Sequence, residues 1–195
     1  MLEINWNIFK AKFNGKEQIA FENLSYLLFC VEFNQDTGIF RYKNQTGIET
    51  EPIEHEEKII GFQAKFYETK ISDNVKDMED SIFKAKNKNP NLNKILFYIN
   101  QEFSESTTRG QKEPRYKTNI EEYAAAKGLE IEWRVPSHFE RQLVLENNIS
   151  LAKHFFALEK STFDLMQDLI KHTESILTPI RSDIEFKGNV IKLDR

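Results

Sequence analysis

The sequence predicts an α/β protein, a mixed β-sheet flanked by helices with a helical extension at its C-terminal end. Three observations carry this. Lys94–Ile99 is a continuous apolar run of the kind that forms a buried central strand. Residues 58–67 and 129–135 alternate apolar and polar side chains, the period of a half-buried strand. Between and around them lie segments with apolar residues at helical spacing, and strands joined by helices of this size argue for a layered α/β sandwich.

The elements follow in order. Residues 16–33 place Ile19, Phe21, Leu24, Leu27, Leu28 and Val31 on one helical face, with Glu22 close to it. Residues 34–37 read as a turn, 38–43 as a strand, and 44–47 as a turn-rich link. Residues 48–53 and 58–67 are the next two strands. Residues 73–88 form a helix with the stripe Val75, Met78, Ile82 and Phe83, ended by the Asn- and Pro90-containing segment before Lys94. After the central strand, residues 101–117 are a polar loop, 118–127 a helix stopped at Gly128, and 129–135 a strand. Ser137 and Glu140 form a capping box for a helix carrying Phe139, Leu143 and Leu145. From about residue 150 to 176 the pattern is a long helix or helix pair, broken by Pro179, and residues 184–193 read as extended. The expected organisation is a domain over residues 1–146 followed by a helical extension and linker over residues 147–195.

Composition narrows the function. The chain has 195 residues, 39% of them hydrophobic and 16 of them Phe, enough for one good core. One cysteine, Cys30, in an apolar helical setting, excludes an internal disulfide framework and reads as an inert thiol in a reducing cytosol. No apolar stretch approaches the ~20 residues of a membrane span, so no membrane partner is expected. The formal charge of −4 does not advertise a nucleic-acid binder, but its distribution is uneven. Glu49, Glu51, Glu54, Glu56 and Glu57 concentrate acid within nine residues. Lys84, Lys86, Lys88, Lys94, Arg109, Lys112, Arg115 and Lys117 face only Glu102, Glu105 and Glu113 over residues 84–117. A basic flank beside an acidic site suits a phosphate backbone.

The most informative residues are Glu49, Gln63 and Lys65. Strand alternation puts Gln63 and Lys65 side by side on one face, opposite Phe62, Ala64 and Phe66. A carboxylate on one strand beside Gln-x-Lys on its neighbour makes a compact metal-plus-ammonium site. There a carboxylate holds Mg²⁺ and a lysine organises water or steadies charge on phosphate. Glu51 shares the side of Glu49, so either could be the ligand.

The order is a helix with Glu22, a strand, a strand with Gly-Ile-Glu, a strand with Gln-Ala-Lys, a helix and a strand. That order resembles the PD-(D/E)xK nuclease superfamily, in particular its Mrr-like branch, in which Gln-x-Lys often replaces Glu-x-Lys. The resemblance implies a restriction-endonuclease-like fold over roughly residues 16–145. It matches Glu49 to the acid of the second motif, Gln63 and Lys65 to the third, and Glu22 to the helix glutamate. It implies a Mg²⁺- or Mn²⁺-dependent endonuclease acting on double-stranded DNA. Glu49 (or Glu51) and the Gln63 side chain or the Ala64 carbonyl would hold the metal, Lys65 would orient the attacking water or help lower its pKa, and Glu22 would position the metal's water shell or a second ion. The segments 81–94 and 186–195 look like those of nuclease effector domains that precede a STAND-type NTPase in bacterial antiviral proteins. On that resemblance the chain is the effector domain of a larger protein; a cytoplasmic location is expected from the lone cysteine and the lack of an apolar span, and homo-oligomerisation is expected through the full-length protein. Lys84, Lys88, Arg109, Lys112 and Arg115 are its expected DNA contacts.

Two other readings compete. One is a nuclease-fold module without catalysis, used for DNA binding or assembly. A carboxylate-pair glycosidase is the other, and it is poor, because Glu51, Glu54 and Glu57 sit in a charge run without an aromatic sugar platform. His55, His138, His154 and His172 lack zinc-ligand spacing, and no P-loop motif occurs.

Overall fold

The structure is a computed structural model, and it describes residues 4–41, 46–106 and 110–157, together with residues 166, 169–171, 173 and 174. Its first compact unit runs to Ala157. The helices there are α1 (Trp6–Lys12), α2 (Glu17–Glu32), α3 (Val75–Lys88), α4 (Arg115–Ala125), α5 (Pro136–Leu143) and α6 (Ile149–Phe156). The strands are β1 (Ile53–His55), β2 (Lys58–Lys65), β3 (Lys94–Ile99) and β4 (Glu130–Arg134). They form a four-stranded mixed sheet in the order β1-β2-β3-β4, with β1 antiparallel to β2 and the other neighbours parallel. Parallel neighbours need long crossovers, and α3 and α4 supply them.

Both sheet faces are covered, which is why the central strands read as apolar runs. On one face Phe62, Ala64, Leu96 and Tyr98 pack against Phe21, Leu24 and Leu28 of α2 and residues of α1, α5 and α6. On the other, Ile95, Phe97 and Ile99 meet Met78 and Ile82 of α3 and Ile120 and Ala124 of α4. Each large apolar side chain buried in this way contributes about 1.5–3 kcal/mol.

The Phe-rich composition is concentrated on the first face. Trp6 meets Phe156 edge-on at 5.2 Å between ring centres, Phe9 lies 5.5 Å from Phe156, and Phe13 5.9 Å from Phe155. Lys12 Nζ donates to the carbonyl oxygens of His154 (2.7 Å) and Ala157 (3.2 Å), closing the end of α6. Ala152, Phe155 and Phe156, in the segment the sequence reading gives to the extension, are part of this core, and the first compact unit runs to Ala157. At the C-terminal end of β4, buried Arg134 is held between Glu32 of α2 and Glu132, joining helix to sheet by a paired charge.

Several expected elements differ. Gly38–Arg41 is not strand, and residues 42–45 lie outside the described residues. Residues 47–50 bend, and pairing starts only at Ile53. Gly47 adopts φ +88° against α3, where an added Cβ would lie 2.3 Å from the Ala85 nitrogen. The helix expected at 118 starts at Arg115, immediately after Pro114. Val135, not Ser137, precedes the first residue of α5, and Glu140 accepts from Trp6 Nε1 (3.0 Å) instead of closing a capping box. α1 was not anticipated. The helix expected from residue 150 breaks at Ala157, whose backbone is extended. Leu158–Arg195 form a second unit, whose described residues are helical; Pro179 and residues 184–193 lie outside the described residues.

Candidate active site at the end of strand β2

The site lies where β2 leaves the sheet. Gln63 and Lys65 alternate with Phe62 and Ala64, pairing with Phe97 and Ile99 of β3. Glu49 comes alongside on the bent segment 47–50, its N–H donating to the Phe62 carbonyl (2.9 Å). That approach needs Gly61, where a Cβ would stand 2.9 Å from Ile48. Gln63 Nε2 donates to Glu49 Oε1, so the two expected residues touch.

Glu22 reaches the same place from α2. Burial first, and then the negative charge of Glu22, push the Glu49 carboxyl up to about 7. A backbone hydrogen bond from Ala64 and the charges of Arg41 and Lys65 act against that rise. The electrostatics therefore place Glu22, Glu49 and Lys65 in one neighbourhood.

Arg41 has a part in the site that the sequence reading missed. Its guanidinium pairs with Glu22, donates from Nη1 to Asn23 Oδ1 (3.2 Å) and from Nε to the Glu49 carbonyl (3.3 Å), and lies 4.9 Å from the Tyr26 ring centre. It ties the Glu49 segment to α2. Asp77, in the first turn of α3, was missed as well. Its Oδ2 lies 2.9 Å from Lys65 Nζ and accepts the Tyr67 hydroxyl at 2.8 Å. Burial raises the Asp77 carboxyl, but hydrogen bonds from Lys65 and Tyr67, with the charges of Lys65 and Lys84, outweigh it and hold it low.

Side-chain amides hold the exit of β2. Gln18 of α2 donates to the Ala64 carbonyl (3.1 Å) and accepts the Phe66 N–H (2.8 Å). Asn100 accepts the Tyr67 N–H (2.8 Å), and Asn100 and Gln101 donate to the Tyr67 carbonyl (3.0 and 2.7 Å). The Ala64 carbonyl, one of the two alternative ligands, is thus engaged by Gln18.

The remaining expected residues divide. Glu51 is exposed, and its N–H donates to the Phe40 carbonyl (2.9 Å). Lys84 is exposed on α3 and close enough to act on Asp77. Lys88, at the far end of α3, lines a groove with Pro52, Glu54 and Ile59. Lys112 and Arg115 line an open, mixed-charge hollow of about 720 Å³ with Glu113 and Glu122. Arg109 lies outside the described residues. Cys30 is half-buried with its thiol pKa raised by burial, in keeping with an inert thiol.

Among the described residues, no group of three or more His, Cys, Asp or Glu side chains is placed to hold a metal ion. The donors at the site are two carboxylates, Glu22 and Glu49, and one amide. Mg²⁺ binds through one or two carboxylates while keeping water and taking phosphate oxygens, and such a donor set fits it. No helix among the described residues is long and apolar enough to cross a membrane. No protein-family model matches the chain, and no curated protein sequence matches it.

Proposed function

We propose that the chain is a metal-dependent endonuclease domain that hydrolyses DNA phosphodiesters. The observation that carries this reading is the Glu49–Gln63 contact beside the end of β2, with Lys65 two residues on along the same strand face and the charges of Lys65 and Glu22 both acting on Glu49. Glu49 and Gln63 would hold Mg²⁺ or Mn²⁺, with Glu22 holding the water around it, and the ion would supply Lewis-acid charge to phosphate. Lys65 presents an ammonium that steadies the scissile phosphate and orients the incoming water. Arg41 holds Glu22 and the Glu49 backbone in register, so the carboxylates need not reorganise when substrate arrives. Gln63 brings one negative charge less than glutamate would, so the free site binds a cation weakly and gains affinity when phosphate is present. The resemblance to Mrr-like nucleases extends the proposal to an effector domain of a larger bacterial defence protein, cutting double-stranded DNA as a homo-oligomer.

A nuclease-fold module that binds DNA without cutting it is the second reading. Its support is that Glu22 is already paired with Arg41 and that no three-residue ligand cluster exists among the described residues. Incubation with supercoiled plasmid separates the two. The nuclease nicks or linearises it with Mg²⁺ and loses this on Lys65→Ala; the binding module retards the plasmid and leaves it supercoiled in every divalent metal.

A further inference from the structure

Lys65 is the one cation of the site on the strand itself, and its side chain is only 16% exposed. A lysine has four rotatable bonds, and an ammonium free to roam them is a poor catalyst, because a misplacement of 1 Å costs about 100-fold. Here the ammonium is not left to roam. Asp77 Oδ2 stands 2.9 Å from Nζ, and the same oxygen takes the Tyr67 hydroxyl at 2.8 Å. Tyr67 is itself fixed through its backbone by Asn100 and Gln101 at the end of β3. On the other side Gln18 fixes the Ala64 carbonyl and the Phe66 N–H. The residues flanking Lys65 are therefore held from two sides, and its head group is held from a third.

We propose that Asp77, aimed by the Tyr67 hydroxyl, is the positioning residue of the site, fixing the Lys65 ammonium where the scissile phosphate is bound. This rests on the nuclease reading above. Asp77 touches neither substrate nor metal in this role; it acts through Lys65. The arrangement also explains why a half-exposed acid stands in a region offered to a polyanion. A carboxylate there repels DNA, so Asp77 adds nothing to binding, and its effect on the site runs through the ammonium it orients.

The test is single-turnover cleavage of supercoiled plasmid at saturating protein, with DNA affinity measured separately, for Asp77→Asn, Tyr67→Phe, Lys65→Ala and the Lys65→Ala/Asp77→Asn pair. Asp80→Asn, an exposed acid one turn further along α3, is the control. Asp77→Asn is expected to slow cleavage about 10- to 100-fold without weakening DNA binding. Tyr67→Phe slows it less, and Asp80→Asn leaves it unchanged. In the Lys65→Ala background, Asp77→Asn adds no further loss, since one residue acts through the other. Acylation of Lys65 by an N-hydroxysuccinimide ester, read by peptide mass spectrometry, should rise severalfold in Asp77→Asn. The proposal is overturned if Asp77→Asn cleaves like the unaltered protein while Lys65→Ala is dead, or if the two losses multiply. A protein inert with both Mg²⁺ and Mn²⁺ overturns the nuclease reading and this role with it. It is told apart from failure of the role alone, in which the unaltered protein cuts.

Discussion

The Glu49 carboxyl is held near 7 by its burial and by Glu22, well above the ordinary carboxylate range. The folded protein therefore binds a proton there more tightly than the unfolded chain does. Relative to a residue that stays neutral, Glu49 costs the fold little below the ordinary carboxylate range, and stability is lost as pH rises from that range through about 7. Above pH 7 the fold carries an ionised, crowded carboxylate at a net cost. Glu49→Gln should therefore stabilise the protein at pH 8, by roughly 1–3 kcal/mol, and do little at pH 4.5. Thermal melts at the two pH values measure this. Equal melting shifts at both would show that Glu49 does not stand in the environment described. Divalent metal should reproduce part of the gain at pH 8 in the unaltered protein and none in Glu49→Gln, because the ion relieves the same repulsion.

The segment 47–50 decides whether the site exists, and it hangs on two glycines. Gly47→Ala forces a Cβ onto the α3 backbone at Ala85 from a left-handed conformation, and should cost about 2 kcal/mol or more while displacing Glu49. Chemical denaturation reads the loss, and a Gly47→Ala protein as stable as the parent would refute the packing. This segment also shows what sequence can and cannot reveal. Strand β2 was legible because alternation separates Gln63 and Lys65 from Phe62 and Ala64, and β3 because its residues are apolar throughout. Glu49 touches Gln63, but from a bend and not from the strand that the sequence predicts. The bend at Gly47 satisfies one backbone bond to β2 without building a ladder, and no periodicity marks that. Arg41 and Asp77 were hidden for another reason. Asp77 in a first helical turn looks like an ordinary partner for the helix dipole, and only the turn between β2 and α3 brings it back to Lys65. Helix α1 has seven residues, too few for a pattern, and its place follows from aromatic packing against α6 that only the fold creates.

Across the whole molecule, the proposal needs DNA to reach the end of β2 over the exposed bases. Lys84 lies two helical turns, about 10 Å, from Asp77, whereas Lys88 lies about 16 Å away along α3. Lys84→Ala should therefore weaken DNA binding more than Lys88→Ala. Log affinity against log salt should fall with a slope of about 0.9 per phosphate contact. Equal effects of the two substitutions, or an affinity indifferent to salt, would remove α3 from the interface. If two sites cooperate to cut both strands, linearisation of plasmid should rise faster than linearly with protein concentration, and a strictly linear response from a monomer would exclude that arrangement. The most direct test of the account compares Glu49→Gln with Glu51→Gln in Mg²⁺-dependent plasmid cleavage. Glu49 touches Gln63 and feels Glu22 and Lys65, while Glu51 is exposed and anchored through its backbone. The account predicts that Glu49→Gln lowers the cleavage rate about 100-fold or more while Glu51→Gln cuts at nearly the parental rate. Undiminished cleavage by Glu49→Gln, or loss confined to Glu51→Gln, would contradict it.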